Sequence, residues 1–261
     1  MMRLETAIRS VTSKGEKAFI PYVMGGDGGI DQLPEILSFL AESGATAIEV
    51  GVPFSDPVAD GPVIQEAGLR ALEANVGLKD VLDAVRTARQ SVDVPIVLMT
   101  YLNPIFRYGL TAFLATCREV GVDGLIIPDL PLEQSEQFFE QEDKSDIALV
   151  QLVSLTSPME RIQKIADKSE GFLYAVTVNG TTGGQTTFDT TLEDHLANVA
   201  AHSPVPVLAG FGISTPEHVK QLSRPVSGVI VGSKIVDLLH QNDRETIKQL
   251  MAARLATTPS H

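Results

Sequence analysis

The sequence predicts an α/β fold, a (β/α)8 TIM barrel, from three observations. Eight short apolar runs alternate with helix-like stretches, the pattern of repeated βα units. Most runs are near-continuous in Ile, Val, Leu or Phe, as parallel strands covered on both faces require. The length, 261 residues, is ordinary for one barrel of ~250 residues, and each connection is long enough for a right-handed crossover. Alternation alone does not separate a closed barrel from an open doubly wound sheet, which is the alternative.

The eight predicted strands are Ala18–Met24, Ala47–Val52, Pro95–Tyr101, Gly124–Pro128, Ala148–Val153, Gly171–Val178, Pro206–Gly210 and Gly228–Val231. Amphipathic segments at Leu33–Leu40, Val81–Thr87, Leu110–Val120 and Pro158–Ile165 read as connecting helices. Caps mark two helix starts. Ser214-Thr215-Pro216-Glu217 supplies a cap, a Pro near the first helical position and an early acid, and Thr156-Ser157-Pro158 repeats the cap and Pro. Two elements are additional to the repeat: a helix over Arg3–Lys14, expected to plug the barrel base, and one around Val63–Ala74, in the long gap after the second strand. No fixed-period repeat or low-complexity segment interrupts the chain, so residues 1–261 read as one TIM-barrel domain.

Hydrophobic residues make up 44% and charged residues 20%, enough for a sizeable core. The net charge of −13 argues against nucleic acid as a partner. It also means that an anionic substrate has to be held by local dipoles rather than by the overall field. One cysteine, Cys117, allows no intrachain disulfide and no Cys-based zinc cluster, which fits a cytoplasmic protein. The opening segment MMRLETAIRSVTSKGEK has no apolar signal region, and no apolar run nears the ~18 residues of a membrane span. The five histidines (His195, His202, His218, His240, His261) show no metal spacing and read as mostly solvent-facing helix or tail residues; no metal or cofactor is expected.

The run IEVGVPFSDPVADGP, Ile48–Pro62, places Glu49 inside an apolar strand, where burial disfavours a charged carboxylate. In that strand Ala47, Glu49 and Gly51 share one face and the β-branched Ile48, Val50 and Val52 the other. The branched face suits the helix layer, and the small one leaves space around Glu49 in a barrel interior open to ligand. Glu49 also lies toward the strand's C-terminal end, where such barrels carry their sites. A core Glu satisfied by a neighbouring donor is the alternative. Asp56 and Asp60 follow on a loop punctuated by Pro53, Pro57, Gly61 and Pro62. Asp is also a common turn residue, and spacing does not choose which of the two serves chemistry.

The segments IEVGVPFSDPVADGPVIQ, MTYLNPIFRYG, GLIIPDLP, LAGFGIS and VIVGS, in this order, give the chain a close resemblance to the tryptophan synthase α-subunit family over essentially its full length. The resemblance implies cleavage of indole-3-glycerol phosphate to indole and glyceraldehyde 3-phosphate, within an α2β2 complex whose β subunit consumes the indole. That substrate carries an alcohol, not a ketone, beside the bond to be broken, so the electron sink must be the protonated indole ring. Glu49 is expected to donate that proton and to take the hydroxyl proton, partial burial keeping a share of it protonated. Asp60, nearer water, is expected to stay ionised and accept the ring N–H. Tyr174 resembles the family's aromatic residue near indole and glycerol. Tyr22 and Ile126 are further candidate pocket walls; Tyr101 is another, with a barrel-filling role equally open.

Glycine turns follow strands six to eight: Asn179-Gly180-Thr181-Thr182-Gly183-Gly184, Gly210-Phe211-Gly212 and Gly232-Ser233. Loops after the last two strands, with a helix N-terminus, form the recurrent phosphate site of barrels, and the resemblance assigns Gly183, Gly212, Gly232 and Ser233 to it. Ser233 would begin a helix to Leu239. Lys234 beside them reads as a surface or phosphate-facing cation rather than a nucleophile. The polar stretch from Asn179 to about Thr191 has Phe188 as its one large apolar anchor and reads as a lid ordered by ligand. In the family the position of Thr182 bonds the catalytic Asp on closure; here GTTG replaces the usual GVTG. The resemblance also places Asp56, Asn103, Pro104, Phe106 and Pro131 at the rim that meets the β subunit, although a turn would explain Asn103-Pro104 equally well. A stand-alone indole-releasing lyase and a catalytically weak activating subunit are the remaining functional alternatives.

Overall fold

The computed structural model describes residues 1–140, 146–176, 190–210 and 212–255. Eight parallel strands close into a barrel in sequence order, β1 pairing with both β2 and β8. They are β1 (Ala18–Met24), β2 (Ile48–Gly51), β3 (Ile96–Met99), β4 (Gly124–Ile126), β5 (Ala148–Ser154), β6 (Leu173–Val176), β7 (Val207–Gly210) and β8 (Gly228–Val231). Closure decides between the two topologies left open by the sequence. β2, β3, β4 and β7 are shorter than expected, and β6 begins two residues later, at Leu173, its expected end at residues 177 and 178 lying outside the described residues.

The helices are α1 (Arg3–Thr12), α2 (Leu33–Glu42), α3 (Pro62–Glu73), α4 (Leu78–Ala88), α5 (Leu102–Tyr108), α6 (Leu110–Val120), α7 (Leu132–Phe139), α8 (Met159–Ala166), α9 (Thr190–His202), α10 (Pro216–Ser223), α11 (Ser233–His240) and α12 (Arg244–Ala252). Both additional helices are present, as α1 and α3. Strand alternation sorts the side chains into two cores. Phe19, Ile48, Val50, Leu98 and Val229 pack outward against the helices. Ala18, Ile20, Ala47, Val97, Ile126, Val150, Leu208 and Ile230 fill the interior.

Helix α1 plugs the base. Its Leu4 and Ile8 are fully buried in the interior cluster. Gly171, with φ +74°, leaves room for it: a Cβ there would lie 2.7 Å from Leu4 Cδ2. Polar groups lock the plug. Asp123, just before β4, accepts from Arg3 at 3.0 Å and from the Ile96 N–H at 2.8 Å, and it pairs with Arg89.

Two local expectations need correction. Thr215 caps α10 as expected, accepting the His218 N–H at 3.2 Å with Pro216 at the first helical position. The Thr156-Ser157-Pro158 stretch does not cap α8. Pro158 is itself the N-cap, held extended at ψ 145°, while the Thr156 hydroxyl pairs with Ser154 Oγ at 2.7 Å. Asn103 and Pro104 lie in helix α5 rather than in a turn. Asp129 makes this possible: its carboxylate oxygens accept the Leu102 N–H at 3.0 and 3.2 Å, satisfying a first-turn donor. Pro104 sits in that same first turn, where its missing N–H leaves no bond unmade.

Candidate active site

Glu49 projects inward from β2 and is 2% exposed. The small-residue face that the sequence reserves for open space is partly filled. Tyr22 of β1, the register partner of Glu49, leans over Gly51 so closely that a Cβ there would sit 1.9 Å from its hydroxyl oxygen. Only glycine fits at that position. Tyr174 of β6 repeats the arrangement on Gly210 of β7, where a Cβ would lie 2.3 Å from its ring. Tyr174 and Ile126 both belong to the interior cluster below the mouth.

Burial of Glu49 is complete rather than partial, and one of its carboxylate oxygens, Oε2, is buried with no hydrogen-bond partner. Desolvation first, and then the charge of Asp60, push its pKa up to about 8. The group is therefore mostly protonated at neutral pH, more so than partial burial implied. Among the described residues no donor reaches Oε2, which speaks against Glu49 as a fully paired core residue.

Asp60 is also less open to water than expected, being 5% exposed. Burial raises its pKa to about 6, opposed by a hydrogen bond from Tyr101, so it remains largely ionised at neutral pH. Its loop is held at several points. The Asp60 N–H donates to Pro57 O at 3.0 Å, Gln65 Nε2 donates to the Asp60 carbonyl at 2.8 Å, and the Ala59 N–H donates to the Tyr101 hydroxyl at 3.1 Å. The Tyr101 phenol, which accepts from Ala59, also favours the ionised form of the neighbouring Asp60 carboxylate. Tyr101 thus serves the loop and not only the pocket wall. Its ring stacks on Phe54, centroids 5.2 Å apart. Tyr101 and Gln65 are partners that the sequence reading did not assign to Asp60. Forty-one residues separate Tyr101 from Asp60, and no local pattern links them.

Two strands round the barrel from β2, after β8, Gly232 is the N-cap of α11 and Ser233 its first residue. Gly210 ends β7 and Val231 ends β8, so Gly212 lies two residues past its strand and Gly232 one. Gly212 has φ +76°, a conformation open to glycine at little cost. Lys234 Nζ lies 3.7 Å from Asp237, a partner on its own helix. Thr182 and Gly183, together with the whole stretch 177–189, lie outside the described residues.

The rim candidates fall on connections after three successive strands. Asp56 follows β2, Asn103, Pro104 and Phe106 follow β3, and Pro131 follows β4. Asp56, Asn103 and Pro131 are exposed. Phe106 is 60% exposed and Val58, which the sequence reading passed over, is 80% exposed. Phe106 meets Phe138 edge-on at 5.6 Å. Among the described residues, no helix is long and apolar enough to cross a membrane.

Comparison with known proteins places this architecture. The family model described as tryptophan synthase alpha chain matches residues 8–259. A tryptophan synthase alpha chain of Bacillus cereus (strain ATCC 10987 / NRS 248) is 50% identical over 246 residues, covering 94% of this chain and 95% of the relative. Among solved structures, the tryptophan synthase alpha chain of Legionella pneumophila subsp. pneumophila superposes with a TM-score of 0.88 at 31% identity, covering all of both chains. Mycobacterium tuberculosis tryptophan synthase gives 0.87 at 33% identity over 97% of this chain and 98% of the other. The chain belongs to the tryptophan synthase alpha chain family.

Proposed function

We propose that Glu49 and Asp60 carry the lyase reaction of this family, the cleavage of indole-3-glycerol phosphate to indole and glyceraldehyde 3-phosphate in tryptophan biosynthesis. One observation carries the assignment of roles: two buried carboxylates at one barrel mouth are held at different protonation levels, Glu49 at about 8 and Asp60 at about 6. Environments that separate two carboxyl groups in this way assign acid and base.

The steps balance as follows. Protonated Glu49 gives its proton to the indole ring carbon that bears the side chain. The ring becomes a cation with charge at its N–H, which donates to ionised Asp60; the negative charge of Asp60 stabilises the cation as it forms. The carboxylate left at Glu49 takes the proton of the side-chain hydroxyl. The bond between that carbon and the ring then breaks. Its electron pair neutralises the ring, releasing indole, and the hydroxyl carbon becomes the aldehyde of glyceraldehyde 3-phosphate. Glu49 ends protonated, ready for another turn. Tyr22, Tyr101, Ile126, Tyr174 and Thr182 are proposed around the substrate. Its phosphate is assigned to the turns at Gly183, Gly212, Gly232 and Ser233, where backbone N–H groups and the start of α11 favour an anion despite the net charge of −13.

The family works with a β subunit, and Asp56, Asn103, Pro104, Phe106 and Pro131 are proposed as the rim it covers, supported by the exposed Phe106 and Val58. We read the chain as one catalytic domain and place it in the cytoplasm, in keeping with its single cysteine. A direct assay tests the whole: the purified chain should release indole from indole-3-glycerol phosphate, and adding the β subunit should bind it and raise the rate. No indole with or without the β subunit would refute the enzymatic reading; full activity with no response to the β subunit would refute the partnership.

A further inference from the structure

Tyr22 joins the two halves of the proposed site. Its strand lies between β8 and β2, and the ring spans the same gap. A Cβ on Gly232, at the proposed phosphate turn, would lie 3.7 Å from Tyr22 Cβ and 3.9 Å from Cδ1. At the other end the hydroxyl rests over Gly51, two residues past Glu49 on the same face of β2. Two glycines, one beneath each end, make the slot that the ring occupies. The side chain is 3% exposed, and the acceptor the structure gives its hydroxyl is Met24 Sδ at 4.0 Å. Thioether sulfur is a weak acceptor, so among the described residues this buried donor in the mouth has no strong partner, a condition that native structures rarely keep without cause.

The substrate of the proposed reaction supplies such a partner. Its three-carbon chain runs from the phosphate to the reacting carbon. With the phosphate at Gly232–Ser233 and the reacting hydroxyl at Glu49, the middle carbon and its hydroxyl must pass along Tyr22. We infer that Tyr22 is a specificity-determining residue whose phenol donates a hydrogen bond to the middle hydroxyl of the substrate's glycerol chain. The inference rests on the reading of Glu49 and the phosphate turn given above. Burial, followed by the charges of Asp60 and Glu49, holds the phenol pKa well above its ordinary value, so the group remains a donor throughout the working pH range.

The test compares the parent chain with Tyr22→Phe, which keeps the ring and removes one oxygen. Each is assayed on indole-3-glycerol phosphate and on the analogue lacking only the middle hydroxyl, which still carries the reacting alcohol and the phosphate. The parent should prefer the hydroxylated substrate in kcat/KM by about 10-fold, the effect of one neutral hydrogen bond. Tyr22→Phe should lose about that factor on the natural substrate and none on the analogue. Equal loss on both compounds would place the phenol's action on the carboxylates or the packing and overturn the inference. A parent that does not discriminate would overturn it without any variant. A parent that cleaves neither compound would sink the reading of Glu49 and Asp60, and the role of Tyr22 with it.

Discussion

Glu49 and Asp123 are both carboxylates buried in the same barrel, yet the two ends of the molecule treat them in opposite ways. At the base, Asp123 is 8% exposed and accepts from Arg3, Arg89 and the Ile96 N–H. Arg89 in turn donates to the carbonyls of Gly121, Val92 and Val94 at 2.6–3.1 Å. At the mouth, Glu49 is more deeply buried, faces another acid instead of a guanidinium, and keeps an oxygen with no partner. Burial alone therefore does not mark a reactive group. A buried charge whose bonds are complete ties elements together; one whose bonds are left open is held ready to exchange a proton.

The largest effects should come from neutralising the mouth. Glu49→Gln and Asp60→Asn are each expected to cut turnover at least ~100-fold, in the usual range for lost acid–base groups, with circular dichroism unchanged. Near-parental turnover in either folded variant would remove that residue from the chemistry. The Glu49 variant should also differ in stability. The folded parent holds a proton to about pH 8, whereas the unfolded chain releases it near 4.5. Parent stability therefore falls as pH rises from 4.5 through 8. Glu49→Gln escapes this loss, so denaturant titrations at pH 5 and pH 9 should show the variant gaining on the parent at the higher pH. A gap that stays constant with pH would mean that Glu49 is not held protonated.

The base should give the mirror image. Asp123→Ala leaves two guanidiniums and a backbone donor without their shared acceptor and is expected to cost about 3 kcal/mol of stability, at the lower end of the range for a broken buried pair because Arg3 is partly exposed. Activity per folded molecule should be unchanged well below the melting temperature. A variant that melts like the parent but turns over slowly would erase the distinction between the two ends.

Legibility in the sequence follows the same division. Period-two alternation is local, so the inward face of β2 and the position of Glu49 on it could be read from Ala47 to Val52, and the Thr215 cap from four consecutive residues. Interactions across long separations could not. Tyr101 reaches Asp60 from another strand end, Asp129 completes α5 from 27 residues away, and Arg70 of α3 clasps Asp27 of the β1 loop at 2.7 and 2.9 Å. α5 was obscured for that reason: Asn103-Pro104 looks like a turn until Asp129 supplies the missing cap. The burial of Asp60 was underestimated likewise, because a loop rich in Pro and Gly reads as exposed unless its anchors at Gln65 and Tyr101 are known.

The smallest predicted effect sharpens the comparison most, because Tyr101 gives Asp60 part of what the arginines give Asp123. The parent's kcat/KM should follow a bell, rising through about pH 6 as Asp60 ionises and falling through about pH 8 as Glu49 loses its proton; both limbs belong to the coupled pair. Tyr101→Phe preserves the ring on Phe54 but removes the donor that favours ionised Asp60. Without that donor Asp60 holds its proton to higher pH, so the acid limb should move up while the alkaline limb, set by Glu49, shifts less. Activity at the optimum should fall by about 10-fold, the lower end of the scale for one hydrogen bond to a charged group. A structural defect would lower the whole profile and leave its acid limb in place. A limb that moves marks Tyr101 as the positioning residue for Asp60, and one that stays reduces it to a wall of the pocket.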